Sequence, residues 1–482
     1  MRWHYIFNVV GILSIFIGLI LALPLGVDYL YGGGELLAFT KAMGVTLVAG
    51  VLLILFFRSP PSDHISPREG MAIVSLSWMA MGFYGALPFY FSGDIPGFSD
   101  ALFESVSGFT TTGSSILTNI EALSKGLLFW RSLTQWLGGM GIIVLSLAIL
   151  PFLGVGGMQL FKAEVPSPVP DKLKPRIRET ALILWKVYIL FTVAETILLM
   201  LGGMDLFDAL CHTFTTLPTG GFSTKNSSLA HFDSAYIDWV VIFFMILAGI
   251  NFTLHFQLLR GQPLAFWKDS ECRFFLGLLL VLGLAVSINI FGDQYHSLGQ
   301  AIRYGVFQVV SIVTTTGFAT ADYELWPAMA QVIILFAMFV GGSAGSTGGG
   351  MKCLRIMLCF KFCYRELFSL IHPRAVSRIR VNRQVVADPI IHSVLGFLAL
   401  YLGLFAAGAI ALAAIGVDFT TSLTTVASSI GNIGPAFGAA GPVENYALLP
   451  LAAKWVLIWC MLLGRLEIYT VIILLVPEFW RK

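Results

Sequence analysis

Residues 99–115 read SDALFESVSGFTTTGSS, and residues 307–320 read FQVVSIVTTTGFAT. Each is a short, moderately apolar run that ends in Thr-Thr-Thr-Gly. Two further stretches follow the same plan: FDALCHTFTTLPTGGFS over 207–223 and LTTVASSIGNIGPAFG over 423–438. Aligning Asp100-Ala101-Leu102 with Asp208-Ala209-Leu210 places Gly113 opposite Gly221, and the third and fourth counterparts are Gly317 and Gly434. Their separations of 108, 96 and 117 residues mark a fourfold repeat. A single Gly/Thr-rich turn is ordinary. Four copies at matching positions call for a shared purpose.

The rest of the chain says what surrounds these stretches. Of 482 residues, 57% are hydrophobic and only 12% charged, with 29 basic against 27 acidic. A soluble domain carries about 25% charge. The deficit excludes a soluble protein, a disordered one and a nucleic-acid binder. Long apolar segments lie near 5–27, 37–57, 71–92, 128–153, 180–203, 236–259, 273–292, 327–362, 390–416 and 450–477. Each is long enough to cross a bilayer, so the chain is an all-α polytopic membrane protein. The first segment follows Arg2 like a signal peptide, but it has no A-x-A site and a second segment follows closely. It reads as a retained helix.

The quoted stretches fall between these segments and are too short to span. The predicted architecture is therefore four repeats of helix, re-entrant pore loop and helix around one central pore, preceded by two extra transmembrane helices. The corresponding boundaries are 1–70 for the two-helix region, then 71–165, 166–265, 266–372 and 373–482 for the repeats. Loops 154–180, 260–273 and 352–389 carry 16 basic residues, whereas loops 93–126, 204–235, 293–326 and 417–448 carry 3. The positive-inside rule puts the first set and both termini in the cytoplasm.

A segment that dips into a membrane and turns back leaves backbone groups unpaired. That is tolerated where it is buried in protein or lines a watery cavity. Four such segments can place rings of carbonyls around a dehydrated cation. Gly reaches the positive φ such a turn needs, and Thr adds hydroxyl oxygens. The candidate quartets are Thr110-Thr111-Thr112-Gly113, Pro218-Thr219-Gly220-Gly221, Thr314-Thr315-Thr316-Gly317 and Gly431-Asn432-Ile433-Gly434. In the second, Gly220 competes with Gly221 for the register. Asp94, Asp100, Glu104, Asp205, Asp208, Asp322, Glu324 and Asp418 lie on the same side, where they would draw cations to a mouth. Helix capping is the alternative and is preferred for Asp205 and Asp418.

The third repeat contains six glycines in ten residues: Gly341, Gly342, Gly345, Gly348, Gly349 and Gly350. Each costs a helix about 1 kcal/mol relative to Ala. The helix should break there, mid-membrane, and a loop at that point can act as a gate. Close helix packing is the alternative reading. A phosphate loop is excluded, because Met351 stands where Lys must follow Gly350. Arg465 lies inside the last apolar segment, where a charge costs about 3 kcal/mol or more. It should face the pore as a barrier to cations, or join an interhelical ion pair. The basic stretch from Lys361 to Arg383 fits anionic lipid head groups or a docking cytosolic protein equally well. Cys353, Cys359 and Cys363 match no zinc spacing. No catalytic set of nucleophile and base is visible; His212 and His255 read as structural, so the chain is expected not to be an enzyme.

These motifs resemble the Trk/Ktr/HKT superfamily of potassium uptake proteins, most closely its bacterial TrkH/TrkG-type members. The marks are the four loops, GGSAGSTGGGMK from Gly341, GRLEIYT from Gly464, and the two leading helices, which Ktr members lack. The resemblance implies K+ as the transported ion, coordinated at the four quartets, and a homodimer in the bacterial inner membrane. It assigns the filter glycines to Gly113, Gly221, Gly317 and Gly434, and the gate to Gly341–Gly350 and Arg465. In plant relatives a Ser at the first glycine accompanies sodium transport, so Gly113 points to potassium. A cytosolic TrkA-type subunit is also implied, binding adenine nucleotides and NADH that this chain does not bind itself. Ala436 departs from the pattern, where Gly is expected. The main rival is a secondary transporter coupled to H+ or Na+, with Glu195 and Glu467 as the main acidic residues inside the spans.

Overall fold

The computed structural model describes residues 1–59, 66–148, 173–375 and 377–480, with the side chains of 142–148 and 173–180 left aside. Basic residues in 154–172, and Arg481 and Lys482, fall outside this set. Apart from a short antiparallel hairpin, Arg380–Val381 with Gln384–Val385, the regular structure of the described residues is helical.

Among the described residues, six helices are long and apolar enough to cross a membrane: Trp3–Tyr31, Leu36–Phe56, Pro67–Ser92, Ala181–Leu201, Ser270–Ile290 and Asp388–Ile415. Their outward faces carry exposed side chains such as Phe56, Leu201, Ile288 and Ile410. In water such a surface would associate; against lipid tails it needs no cover. The first two pack through small residues, and a Cβ on Gly50 would lie 2.9 Å from the Gly11 carbonyl oxygen. Pro67–Ser92 starts with a capping box between Ser66 and Glu69, and Glu69 also takes Arg2 at 2.7 Å.

Four short helices sit between the long ones: Phe98–Phe109, Leu206–Thr216, Leu298–Val313 and Phe419–Gly431. Each is amphipathic at its start and almost wholly buried in its last two turns. Asp205 and Asp418 cap the second and fourth, accepting from Asp208 N at 2.7 Å and Thr421 N at 2.9 Å.

The helix that follows each short helix differs from unit to unit. Lys125–Ala148 is one helix. The expected segment 236–259 is instead two helices, Ala235–Gly249 and Phe252–Leu259, bent by 102°. The expected segment 450–477 is bent by 111° between Leu451–Arg465 and Tyr469–Leu475. Segment 327–362 opens, as the glycine run requires, between Ala328–Ala337 and Cys353–Ile371. The bend at 250–251 has a physical reason. The Ala248 and Gly249 carbonyls accept from Thr347 N at 3.3 Å and Ser343 N at 2.8 Å, and Phe252 N donates to the Gly345 carbonyl at 3.1 Å. The backbone groups freed by the bend are thus paired with the glycine segment, which makes the break tolerable at membrane depth.

Candidate functional site: four Thr/Gly loops and the glycine segment beneath them

Each short helix runs into its Thr/Gly loop with the same backbone turn. The residue two before each glycine, and the glycine itself, have positive φ: Thr111 51° and Gly113 83°, Thr219 57° and Gly221 73°, Thr315 63° and Gly317 82°, Asn432 56° and Gly434 106°. The residue between them donates its N–H five residues back. Thr112 reaches Ser107 at 2.9 Å, Gly220 reaches Thr215 at 2.8 Å, Thr316 reaches Ser311 at 2.8 Å and Ile433 reaches Ser428 at 2.9 Å. This pattern settles the register of the second loop in favour of Gly221. Three of the left-handed positions hold β-branched Thr. Such residues cost about 1–3 kcal/mol there and persist where the surroundings over-determine them.

The glycines close a ring. A Cβ on Gly113 would lie 2.2 Å from the Gly220 carbonyl oxygen, and one on Gly221 would lie 2.0 Å from that of Thr316. On Gly317 it would meet the Ile433 oxygen at 1.8 Å, and on Gly434 the Thr112 oxygen at 2.8 Å. Each loop therefore abuts the next in chain order, and the fourth returns to the first. No side chain fits at these four positions without moving a neighbouring backbone carbonyl.

Buried polar side chains brace the loops from behind. Nine residues before each glycine stand Glu104, His212, Gln308 and Thr425, all fully buried. Glu104 accepts from Ile116 N at 3.0 Å and Ser115 Oγ at 3.0 Å, His212 Nε2 lies 2.9 Å from Ser223 Oγ, and Gln308 donates to the Ala321 carbonyl at 2.8 Å. Three short helices thus hold the chain that leaves their own loops. Arg131 pairs with Glu104 at 2.6 Å and donates to the Ser223 carbonyl at 2.8 Å, joining the first loop to the second. Gln135 brackets the second loop, donating to the Gly220 carbonyl at 2.7 Å and accepting from Phe222 N at 3.1 Å. Asn432 donates to Thr112 Oγ1 at 3.0 Å and to the Met461 carbonyl at 2.9 Å.

The expected acidic mouth is largely otherwise engaged. Glu104 is in the buried pair above. Asp100 takes Lys454 at 2.7 Å, Asp208 takes Lys225 at 3.3 Å, and Asp322 accepts from Glu324 N at 3.0 Å. Glu324 accepts from Gly438 N, and burial outweighs that bond to raise its pKa above the usual carboxylate range. Asp100 and Glu324 are claimed by partners more than 100 residues along the chain, which no local pattern announces.

The glycine segment lies against the loops. Gly349 N donates to Thr315 Oγ1 at 2.7 Å, and Thr347 Oγ1 donates to the Leu217 carbonyl at 2.8 Å. Added Cβ atoms on Gly348 and Gly349 would stand 3.0 Å from the Thr314 oxygen and 2.3 Å from the Gly431 oxygen. Gly341 abuts Gly349 and Gly350 within the segment, and Lys352 Nζ folds back onto the Gly348 carbonyl. Gly342 accepts from Cys353 N at 3.0 Å. Arg465 is buried and donates to the Thr347 carbonyl at 2.7 Å and the Gly138 carbonyl at 3.2 Å. Among the described residues it makes no ion pair; Glu467 pairs with Arg355 at 2.6 Å instead. The segment and Arg465 together touch elements of all four units.

Sequence reasoning brought the quartets, the glycine run and Arg465 to the site. It did not identify Arg131 and Gln135, and it gave Glu104 a different task. A signal existed for one of them: a polar residue recurs nine places before each glycine.

The TrkH cation transport protein family matches residues 37–482. The Trk system potassium uptake proteins TrkH of Halomonas elongata and of Escherichia coli K12 are each 42% identical, over the whole of both chains. Escherichia coli TrkG is 37% identical over 87% of each chain. The crystal structure of the potassium transporter TrkH from Vibrio parahaemolyticus superposes with a TM-score of 0.92 at 39% identity, covering both chains completely. With both the family match and these relatives spanning nearly its whole length, the chain belongs to the TrkH family of membrane cation transport proteins.

Proposed function

We propose that this chain is a potassium-selective uptake channel subunit of a bacterial inner membrane, with both termini cytoplasmic. The observation that carries the reading is the closed ring of glycine–carbonyl contacts. Four loops of one conformation around one axis can offer equivalent oxygens to a dehydrated cation. The filter comprises Thr110–Gly113, Thr219–Gly221, Thr314–Gly317 and Gly431–Gly434, one run from each of the repeats bounded at 71, 166, 266 and 373. The segment Gly341–Gly350, pinned by Arg465, closes the path beneath the filter and moves aside to open it. Arg465 adds an electrostatic barrier to cations in the closed state. Two chains form a homodimer, and a TrkA-type cytosolic subunit carrying adenine nucleotides or NADH sets the gate. The relatives' names support K+ as the ion, and the exposed arginines Arg374, Arg378, Arg380 and Arg383 support docking on the cytosolic face.

A membrane potential suffices to drive uptake. One charge falling through 100 mV gains about 2.3 kcal/mol, roughly 50-fold accumulation. A proton-coupled carrier is favoured by one observation only: Glu195 is fully buried, and among the described residues its carboxyl group has the Thr216 side chain as polar neighbour but no well-formed hydrogen bond. The test is K+ flux into liposomes of purified protein with and without a pH gradient. A channel carries K+ down its own gradient and ignores pH difference, and Glu195→Gln leaves flux intact. Flux that requires a proton gradient and is lost in Glu195→Gln overturns the channel reading.

A further inference from the structure

The glycine segment hangs on one carboxylate outside both the filter and the gate described above. Glu271 is the second residue of Ser270–Ile290 and is buried. Its Oε1 accepts from Ala344 N at 2.6 Å and from Leu354 N at 3.1 Å. Ala344 lies inside the glycine run, and Leu354 is the second residue of the helix that follows it. Neither N–H has a backbone acceptor in this loop-to-helix passage, as expected for a helix's first turn. One oxygen therefore ties the interior of the segment that would have to move to the start of the helix that follows it.

The other side of the same helix start is held by the 380–385 hairpin. Ser270 N donates to Asn382 Oδ1 at 2.7 Å, and Asn382 N donates to Ser270 Oγ at 3.3 Å. Asn382 Nδ2 donates to Asp269 Oδ2 at 2.8 Å, while Asp269 Oδ1 accepts from Cys272 N at 2.7 Å. Asn382 and Arg383 form the exposed tip, with φ of 50° and 66°. A half-open cavity of about 950 Å³ lies between the hairpin and the starts of the two helices that meet at Glu271, lined among others by Asn251, Gln257, Trp267, Glu271, Leu354 and Arg383. Space beside a hydrogen-bonded relay lets its parts shift without breaking a packed core.

We propose that Glu271 is a latch, a positioning residue that ties the glycine segment to the tip of the 380–385 hairpin, so that displacing the hairpin loosens the segment. The proposal rests on the gate reading above for its consequence in transport, but not for its geometry. The relay runs Asn382, Asp269 and Ser270, Glu271, then Ala344 and Leu354. Asp269, Ser270 and Glu271 are consecutive in the chain, and the links on either side of them are hydrogen bonds, three of which are accepted by the Asp269 and Glu271 carboxyl groups.

Cys353 provides a readout that does not depend on transport. It is fully buried next to Leu354, and its Sγ donates to the Gly341 carbonyl at 3.3 Å. The full chain in liposomes is exposed to N-ethylmaleimide, and modification of Cys353 is followed by peptide mass. Glu271→Ala removes both accepted bonds and should speed modification about tenfold or more. Glu271→Gln retains an acceptor oxygen and should stay near the parent rate, which separates latch loss from misfolding. Asn382→Ala should give a smaller acceleration in the same direction. If Cys353 reacts at the parent rate in Glu271→Ala, the latch is refuted. If only Asn382→Ala is silent, the link to the hairpin is refuted. Faster labelling of Glu271→Ala with unchanged K+ flux upholds the latch and removes the gate reading instead.

Discussion

The four Thr/Gly loops and the four helices that follow them are built on opposite plans. The loops share one conformation, down to paired positive φ values at the glycine and two residues before it. The helices share none: one is continuous from Lys125 to Ala148, one bends by 102°, one opens between Ala337 and Cys353, and one bends by 111°. Repetition is kept where the four loops abut one another, each glycine against the next loop's backbone carbonyl. It is given up just beneath, where the single segment Gly341–Gly350 contacts the loops and helices of the other units. The bends in the second and fourth units make room for that segment and supply its partners. Ala248 and Gly249 take its N–H groups, and Arg465, at the end of its helix, holds the Thr347 carbonyl.

The sharpest way to break the symmetric half is to remove its buried support. Arg131→Ala leaves Glu104 without its cation at a fully buried position, and should cost about 3–5 kcal/mol of stability, read by thermal unfolding in detergent. Adding Glu104→Gln should recover part of that loss. A second comparison lies within one loop. Gly221→Ala drives a Cβ against the Thr316 backbone oxygen, whereas Gly220→Ala meets the Gln135 side chain at 2.4 Å, which can swing away. The first should lose most K+ over Na+ discrimination in flux competition, and the second much less. In the asymmetric half, Arg465→Ala frees the Thr347 and Gly138 carbonyls and should raise K+ conductance about tenfold without changing selectivity.

The smallest effect concerns the helix starts. Asp418→Ala removes an exposed cap and should cost about 1 kcal/mol. The Thr421 backbone N–H and hydroxyl hold the Asp418 carboxyl below the usual aspartate range. Its contribution is therefore complete above about pH 4 and fades as pH falls through the lowered value, so the parent and Asp418→Ala melting curves should converge in acid.

Much of this division was legible in the sequence, because composition carries it. Two TTTG quartets and two relatives announce the loops, and six glycines in ten residues announce the opening. The bends at 250–251 and 466–468 were not legible. No Pro or Gly cluster marks Ile250 or Ile468, and the break at 250–251 is held by donors from Ser343 and Thr347, nearly 100 residues away. Glu104 was read as a mouth carboxylate for the same reason. Its partner Arg131 stands 27 residues on, across an intervening loop, and only folding brings them together.

The most direct test of the account is the bi-ionic reversal potential, K+ against Na+, of liposomes containing the parent and four variants: Gly113→Ala, Gly221→Ala, Gly317→Ala and Gly434→Ala. If the loops form one selective ring, the parent reverses near the potassium potential and all four variants move toward zero. Gly317→Ala, with the 1.8 Å clash, should move furthest, and Gly434→Ala, at 2.8 Å, least. Variants that keep the parent's reversal potential, or a shift confined to a single loop, would contradict it.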